Sequence, residues 1–200
     1  WPQIACRRRD GSTSPAVVLA TVLALVAALL HAVWNLLIKT AEDRDLAAWG
    51  QFVFGGVVLL PVLLFIGAPS ADALPYLVAS AVVHVFYVMG LVAAYHDGDF
   101  SLAYPLARGG GALCAAVIGF VVLGDSLVFW AWIALLVVTL GLASFVRPGT
   151  PFVEIRYALL TAVVIGVYTV IDTSGSRHSG NGFAYGIVLT FAAGVALTVV

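Results

Sequence analysis

Residues 16–38 read AVVLATVLALVAALLHAVWNLLI, an apolar stretch that contains no Asp, Glu, Lys or Arg. A helix that crosses a hydrocarbon core of about 30 Å needs roughly 20 apolar residues, so this stretch is long enough to span a bilayer. Further charge-free intervals follow at 46–71, 73–96 and 126–146. Without water, backbone groups must be satisfied within the segment, which favours helices. The sequence therefore predicts an all-α, polytopic membrane protein.

The composition excludes several classes of protein. Hydrophobic residues make up 62% of the 200-residue chain and charged residues 10%, with a net charge of −1. A soluble domain is nearer half apolar and a quarter charged, and a disordered chain is poor in apolar residues. A nucleic-acid binder needs a basic excess that this chain does not have. We expect the lipid bilayer as a partner and no nucleic acid.

The apolar stretches are separated by short breaks rich in Gly, Pro and Asp, which punctuate helix ends. Such short connections make consecutive helices antiparallel neighbours. Seven transmembrane helices are predicted, near residues 16–38, 46–67, 73–96, 101–123, 127–146, 155–172 and 183–200.

An internal repeat is visible within these helices. Residues 32–37 (AVWNLL) align with 166–171 (GVYTVI), and Ala48-Trp49-Gly50 aligns with Ala184-Tyr185-Gly186. Helices one and two thus resemble helices six and seven, and a repeat of five helices inverts its second copy. The predicted organisation is a polar tail at 1–15, a first five-helix repeat at 16–146, a linker at 147–154, and the first two helices of a truncated second repeat at 155–200.

Four short motifs resemble the EamA type of the drug/metabolite transporter superfamily. His31-Ala32-x-Trp34-Asn35-x-x-x-Lys39 is similar to the first-helix pattern of that family. Gly98-Asp99-x-Ser101-Leu102-Ala103-Tyr104-Pro105-Leu106-Ala107-Arg108-Gly109 is similar to its most recognisable stretch, at the start of helix four. Leu123-Gly124-Asp125 stands where the family usually has Gly-Glu, and Tyr168-Thr169-x-x-Asp172 with Ser179-Gly180 fits the start of its second repeat.

The resemblance covers residues 18–200 and implies a fold and a function. It implies a permease of ten helices in two inverted five-helix repeats, and seven of these ten helices are present here. Such a permease moves a small metabolite or a drug-like solute across the inner (plasma) membrane by alternating access. The arginines at 7–9 favour a cytoplasmic N-terminus, although with them counted the Lys and Arg residues outside the predicted helices are evenly divided between the two sides.

Arg108 is the sharpest candidate for a substrate-binding residue. An arginine near the centre of a bilayer costs roughly 2.5–3.5 kcal/mol on insertion scales. Its fork of donors suits a carboxylate or a phosphate, whereas the alternative role is to anchor the helix or to pair with a structural carboxylate. Pro105 and the glycines at 109–111 predict an interrupted helix that frees backbone groups. Alternatively, the glycines let neighbouring helices approach closely.

Other polar residues within the predicted helices share faces with one another. Each of them either lines the cavity or forms a hydrogen bond between helices. His84 and Asp172 are in addition candidates for carrying a coupling proton. A buried histidine is more often simply hydrogen-bonded, and the position of Asp172 near the predicted end of helix six favours a solvated carboxylate. The substrate-binding candidates beside Arg108 are Tyr104, His31, Trp34, Asn35, His84, Tyr87 and Tyr168.

Alternatives from other classes have less support. We find no catalytic motif and no spacing for a metal or nucleotide, so no enzyme, metal or cofactor is expected. A proton-coupled multidrug exporter of the small type needs a carboxylate in its first helix, and 16–38 contains none. A retinal protein needs a lysine in its seventh helix, and 183–200 contains none. A non-transporting membrane protein or a truncated remnant stays open.

Overall fold

The computed structural model describes residues 15–97 and 100–199. We number the helices in chain order, treating short 3₁₀ or π turns as part of the helix that they continue. The helices are α1 (Pro15–Thr40), α2 (Arg44–Leu59, continued through Leu60–Val62 to Ile66), α3 (Leu74–Asp97, preceded by Ala71–Ala73), α4 (Phe100–Ile118, continued by Gly119–Leu123), α5 (Phe129–Phe145), α6 (Phe152–His178) and α7 (Gly182–Leu197).

The prediction of seven helices is confirmed, and every regular element within the described residues is helical. Five segments are long and apolar enough to cross a membrane: Val17–Thr40, Arg44–Ile66, Ala71–Ala93, Ser101–Leu123 and Ile155–His178. Helices α5 and α7 are apolar but shorter. The chain is therefore a helical, membrane-embedded protein. The predicted N-terminal tail lies outside the described residues, except that Pro15 is the first residue of α1.

The chain divides into two compact units, one that ends at Thr40 and one that begins at Ala41. The first unit is represented by helix α1. The second unit contains α2 to α7 and is the subject of the packing described below.

Local sequence signals set the ends of the helices in this second unit. The side chain of Asp43 accepts a hydrogen bond from the amide of Leu46 and so caps α2, as short polar residues commonly do. Gly67 and Gly124 end α2 and α4 with φ angles of +82° and +69°, a left-handed conformation that glycine adopts at little cost. The turn at Leu123-Gly124-Asp125 thus closes the fourth helix as predicted.

Consecutive helices of the second unit run antiparallel, and contacts between their turns fix both ends. At one end, the amide of Ser70 donates to the carbonyl of Ser179 (2.8 Å), joining the α2–α3 turn to the α6–α7 turn. At the opposite end, Trp49 Nε1 donates to Thr198 Oγ1 (2.9 Å), joining the start of α2 to the end of α7.

Helix α6 is central to the packing, with its most extensive contacts to α4 and α3. Small residues allow this close approach. A Cβ atom placed on Gly111 of α4 would lie 2.7 Å from Ile165 Cβ, and one placed on Gly166 of α6 would lie 3.0 Å from the amide nitrogen of Ala115. The glycine-rich stretch of α4 therefore forms a contact surface for α6, the close-packing role that glycines have in membrane helices.

The predicted interruption of helix four is wrong. Helix α4 runs without a break through Pro105 and the glycines at 109–111, and a π turn appears only later, at Gly119–Leu123. The reason is packing: the glycines are occupied by side chains of neighbouring helices, with Leu142 of α5 against Gly109 and Ile165 of α6 against Gly111. Contacts of that kind stabilise the regular helix.

The predicted end of helix six near residue 172 is also wrong, because α6 continues to His178. The polar run after Ile171 resembles a loop in sequence, yet its side chains form hydrogen bonds within the helix. Thr173 Oγ1 donates to the carbonyl of Thr169 (2.7 Å), and His178 Nδ1 lies 2.7 Å from the carbonyl of Ser174. Asp172 consequently lies within the helix, well before its end.

Helix α5 is apolar on every face, and none of its side chains is buried. Trp130 is 74% exposed and Val137 is 63% exposed. An apolar surface of this extent is stable against lipid but not against water, which agrees with embedding in a membrane.

Candidate functional site

A set of polar and aromatic side chains lies together within the apolar helices of the second unit, and we call it the inner polar cluster. It draws on helices α3, α4, α6 and α7, and Phe52 of α2 lies at its edge. Its members are Ser80, His84, Tyr87, Tyr104, Arg108, Tyr168, Asp172 and Tyr185.

Helical spacing brings these side chains to the faces that meet. On α3, His84 follows Ser80 by four residues and Tyr87 follows His84 by three. On α4, Tyr104 and Arg108 are four residues apart, as are Tyr168 and Asp172 on α6. Residues three or four apart lie on one face of a helix, so each helix presents one polar face to its neighbours.

The guanidinium of Arg108 is surrounded by tyrosines. The hydroxyls of Tyr87, Tyr168 and Tyr104 lie beside it. Among the described residues, no carboxylate forms an ion pair with Arg108. The tyrosine hydroxyls offset part of the cost of burying the guanidinium but leave its positive charge uncompensated.

Aromatic rings pack next to the guanidinium and connect α3 to α6. The rings of His84 and Tyr168 lie with centroids 4.3 Å apart at an interplanar angle of 34°. Tyr87 meets Tyr168 edge to face at 5.4 Å, and Phe52 meets His84 in the same way at 5.8 Å. Such contacts fix the ring positions more firmly than area burial alone.

A hydrogen-bonded chain continues from His84 towards α7. His84 Nδ1 lies 2.9 Å from the carbonyl oxygen of Ser80 and 3.2 Å from Ser80 Oγ. A carbonyl only accepts, so Nδ1 carries the hydrogen, and the Ser80 hydroxyl, which lies beside the carboxylate of Asp172, is available to donate to it. Tyr185, which is 2% exposed, donates its hydroxyl to Asp172 Oδ1 at 3.1 Å.

A groove of about 600 Å³ opens along α6 and α7 beside the cluster. Tyr168, Asp172 and Tyr185 line it, and Arg177 lies towards the end of α6. Pockets that hold small molecules are typically of this size, about 300–1,000 Å³. The groove is open, so the carboxylate of Asp172 can be reached by a small solute or by water.

The structure brings together six of the predicted site residues: Tyr104, Arg108, His84, Tyr87, Tyr168 and Asp172. The remaining three, His31, Trp34 and Asn35, lie on α1, in the separate first unit. Within that helix, Asn35 Nδ2 donates to the carbonyl of His31 at 2.7 Å. His31 and Asn35 therefore lie on one face of α1, as their spacing of four residues predicts.

Two members of the cluster, Ser80 and Tyr185, were not singled out from the sequence. Ser80 is fully buried and links His84 to Asp172, and Tyr185 completes the partners of that carboxylate. The internal repeat aligns Tyr185 with Trp49, but this alignment gives no reason to assign Tyr185 a binding role. The sequence gives one indication that Ser80 belongs to the site: it lies four residues before His84, on the same face of the helix.

The fold and the cluster define a helical membrane protein with an ionisable site between its helices. Comparison with protein-family models, curated proteins and solved structures finds no match to this chain.

Proposed function

We propose that the chain belongs to a membrane permease of the EamA type, which moves a small anionic solute across the inner (plasma) membrane. The observation that carries the proposal is Arg108, a membrane-embedded guanidinium that lies among tyrosine hydroxyls and that pairs with no carboxylate within the described part of the chain. Structural ion pairs neutralise their charges, whereas a site for an anion must retain a positive one.

The chemistry of the cluster favours a carboxylate, a phosphate or a sulfonate as the group recognised. The guanidinium presents a planar fork of donors that matches two oxygens of such a group. Tyr87, Tyr104 and Tyr168 add hydroxyl donors and apolar ring faces around it. A solute with an anionic group and a flat apolar body would satisfy both features.

The location of the cluster supports alternating access. Arg108 and His84 lie on α4 and α3, which belong to the first predicted repeat, and Tyr168 and Asp172 lie on α6, which belongs to the second. Movement of one repeat against the other would separate these groups and open the site, as in transporters built from inverted repeats.

The crossing of α2 and α7 supports the inverted repeat itself. Under the alignment that sets Ala48 over Ala184, Gly55 is equivalent to Phe191 and Gly56 to the following residue, Ala192. A Cβ atom on Gly56 would lie 2.6 Å from Phe191 Cα, so the backbones approach closely at positions that are equivalent within one residue. Two antiparallel helices related by a two-fold axis cross in this way where the axis passes between them.

The main alternative, a proton-coupled exporter of lipophilic cations, has less support from the site. Such an exporter needs a carboxylate that is free to receive a cation. Ser80 and Tyr185 already occupy the carboxylate of Asp172, and the positive charge of Arg108 lies in the same cluster. Protection of cells against a lipophilic cation such as ethidium, lost on Asp172→Asn, would favour this alternative.

The proposal is tested by Arg108→Ala in the reconstituted protein. The probe is benzenesulfonate, which has an aromatic ring and stays ionised across the physiological pH range. We expect the substitution to abolish its transport into proteoliposomes without reducing membrane insertion, because the positive charge that recognises the anion is lost. Arg108→Lys keeps that charge but not the planar fork, and should retain a fraction of the transport.

The matched control is Arg156→Ala. Arg156 is exposed at the start of α6 and stacks on the ring of its neighbour Tyr157, with its charge 4.8 Å from the ring centroid. Its removal should leave transport at the wild-type level. Transport by Arg108→Ala that equals the wild type would remove Arg108 from the site and, with it, the main support for the proposal.

A further inference from the structure

Two opposite charges share the inner polar cluster without neutralising each other. Arg108 lies beside the hydroxyls of Tyr87 and Tyr168, whereas Asp172 accepts a hydrogen bond from Tyr185 at 3.1 Å and lies beside the hydroxyl of Ser80. Among the described residues, no ion pair joins Arg108 to Asp172. The carboxylate is instead connected through Ser80 to the imidazole of His84, which is 8% exposed.

We propose that His84, Ser80 and Asp172 form a proton-binding unit, and that a proton and an anion occupy the inner polar cluster together. The anion half of this statement rests on the proposed function. The proton half rests on the hydrogen-bonded chain from the imidazole to the carboxylate, which holds the two titratable groups on either side of one hydroxyl.

The sign of the coupling follows from the charges of the cluster. With a neutral imidazole and an ionised carboxylate, the unit carries one negative charge, so the cluster as a whole has no net charge although Arg108 and Asp172 form no ion pair. One added proton makes the unit neutral and leaves the cluster with a single positive charge. An anion is therefore attracted to the protonated state, and by linkage its binding draws in a proton.

Among the described residues, the side chains that lie against His84 and Asp172 carry no charge of their own. They are Ser80 and Tyr87 on α3, Tyr168 on α6, Tyr185 on α7 and Phe52 on α2. The nearby charges are Arg108, which is reached through Tyr168, and Arg177, which lines the same groove as Asp172 and is paired with Asp125 at 3.1 Å. Neither of them changes its charge with pH, so the sign of the coupling is kept.

Tyr168 provides the physical connection between the two halves. Its ring packs against His84 with the centroids 4.3 Å apart at an interplanar angle of 34°, and its hydroxyl lies beside Arg108. The imidazole is therefore separated from the anion site by one side chain, and partly buried charges are screened less by salt than exposed ones. The coupled movement is symport: one proton accompanies the anion in the same direction.

The test measures the affinity of the reconstituted protein for benzenesulfonate at two pH values. This probe remains ionised at both, so any pH dependence belongs to the protein. Between about pH 7.5 and about pH 5.5, the wild type should bind roughly tenfold more tightly, since full uptake of one proton would give at most about tenfold per pH unit.

Two substitutions should remove this dependence with opposite effects on affinity. His84→Gln cannot take the charge, so it should bind at both pH values as weakly as the wild type does at the higher one. Asp172→Asn removes the carboxylate that stabilises the added proton on the imidazole, so the pH dependence should be lost as well. Because the opposing negative charge is also gone, this variant should bind at the higher pH at least as tightly as the wild type does at the lower one. A purely structural role for these residues would weaken binding in both variants.

Asp72→Asn is the control, because Asp72 is an exposed carboxylate at the start of α3 and should leave the dependence unchanged. An unchanged tenfold ratio in both His84→Gln and Asp172→Asn, with binding still lost in Arg108→Ala, overturns the proton unit and leaves the proposed function standing. Absence of any Arg108-dependent binding in the wild type overturns the anion site instead.

An experiment without any ligand tests separately whether His84 and Asp172 form one proton-binding unit. Infrared difference spectra after a pH jump should show imidazole and carboxylate bands that change together, because the two groups share one proton. His84→Gln and Asp172→Asn should each remove both bands. Loss of only the substituted residue's own band in each variant would show that the two groups titrate independently and would overturn the proton unit.

Discussion

The contact between helices α4 and α6 makes a quantitative prediction for Gly111→Ala. The new Cβ atom would lie 2.7 Å from Ile165 Cβ and 3.3 Å from Ile165 Cδ1, both closer than ordinary van der Waals contact. Ile165 is buried and branched at Cβ, so it has few alternative rotamers. The two helices must therefore move apart to accommodate the methyl group.

Two opposing terms set the magnitude. Overpacking of a tight core costs about 1–3 kcal/mol. Alanine is a better helix former than glycine by up to about 1 kcal/mol, which offsets part of that cost. We expect Gly111→Ala to lower the free energy of unfolding by about 1 kcal/mol. Because Arg108 and Tyr168 lie on the same two helices, the separation should also weaken benzenesulfonate binding.

Gly141→Ala separates the two terms. Gly141 lies within α5, and a Cβ atom placed there meets nothing within 4 Å. This variant receives the helix-propensity gain alone and should be as stable as the wild type or slightly more stable. The difference between the two variants, about 1–3 kcal/mol, then measures the overpacking by itself. Equilibrium unfolding by sodium dodecyl sulfate in mixed micelles gives both free energies.

A compensating change tests the assignment to Ile165. Ile165→Ala removes the two outer carbons that crowd the new methyl group, so Gly111→Ala should cost less in that background than in the wild type. Equal stabilities of Gly111→Ala and Gly141→Ala would refute the tight contact between α4 and α6. An equal cost in both backgrounds would show that the outer carbons of Ile165 do not cause the crowding.

Two further predictions concern the turns at one end of the second unit. Asn181→Ala should lower the free energy of unfolding by about 1–2 kcal/mol in the same assay, because Asn181 caps α7 through its Oδ1 and donates from Nδ2 to the carbonyl of Ile66 at 3.1 Å. Asn181→Asp should retain only the capping contribution. Asp125→Asn removes the ion pair with Arg177 at 3.1 Å, in which the two side chains are 42% and 54% exposed; it should cost less than about 1 kcal/mol, and a larger loss that persists at high salt would contradict that assignment.

Much of the fold could be predicted from the sequence because it depends on the length and composition of the apolar stretches, which can be read directly. An apolar stretch of bilayer length has one stable backbone conformation, so α1, α2, α3 and α5 are found close to where the charge-free intervals place them. The end of helix six was misplaced because Asp172 and the polar residues after it resemble a loop. Their side chains are satisfied by carbonyls one turn earlier, a local solution that composition does not reveal.

The ionisable residues of the candidate site could be predicted from the sequence, whereas the contacts that join them could not. Arg108, His84 and Asp172 are conspicuous because charged or titratable groups are costly within a membrane. Ser80 is not conspicuous, because a hydroxyl in an apolar helix usually bonds to a carbonyl of its own helix, as Thr161 does with the carbonyl of Tyr157 at 2.8 Å. Which hydroxyl bridges two helices depends on their rotation and separation, and these are set by packing.

The separate anchoring of Arg108 and Asp172 is what distinguishes this cluster from a structural ion pair. A buried pair with good geometry neutralises both charges and responds little to solutes or to pH. Here each charge is held by hydroxyl groups, the guanidinium by Tyr87 and Tyr168 and the carboxylate by Ser80 and Tyr185. Hydroxyl partners orient a charge without cancelling it. The cluster can therefore change its net charge by one proton while its geometry stays the same, which is the property that coupled transport of an anion and a proton requires.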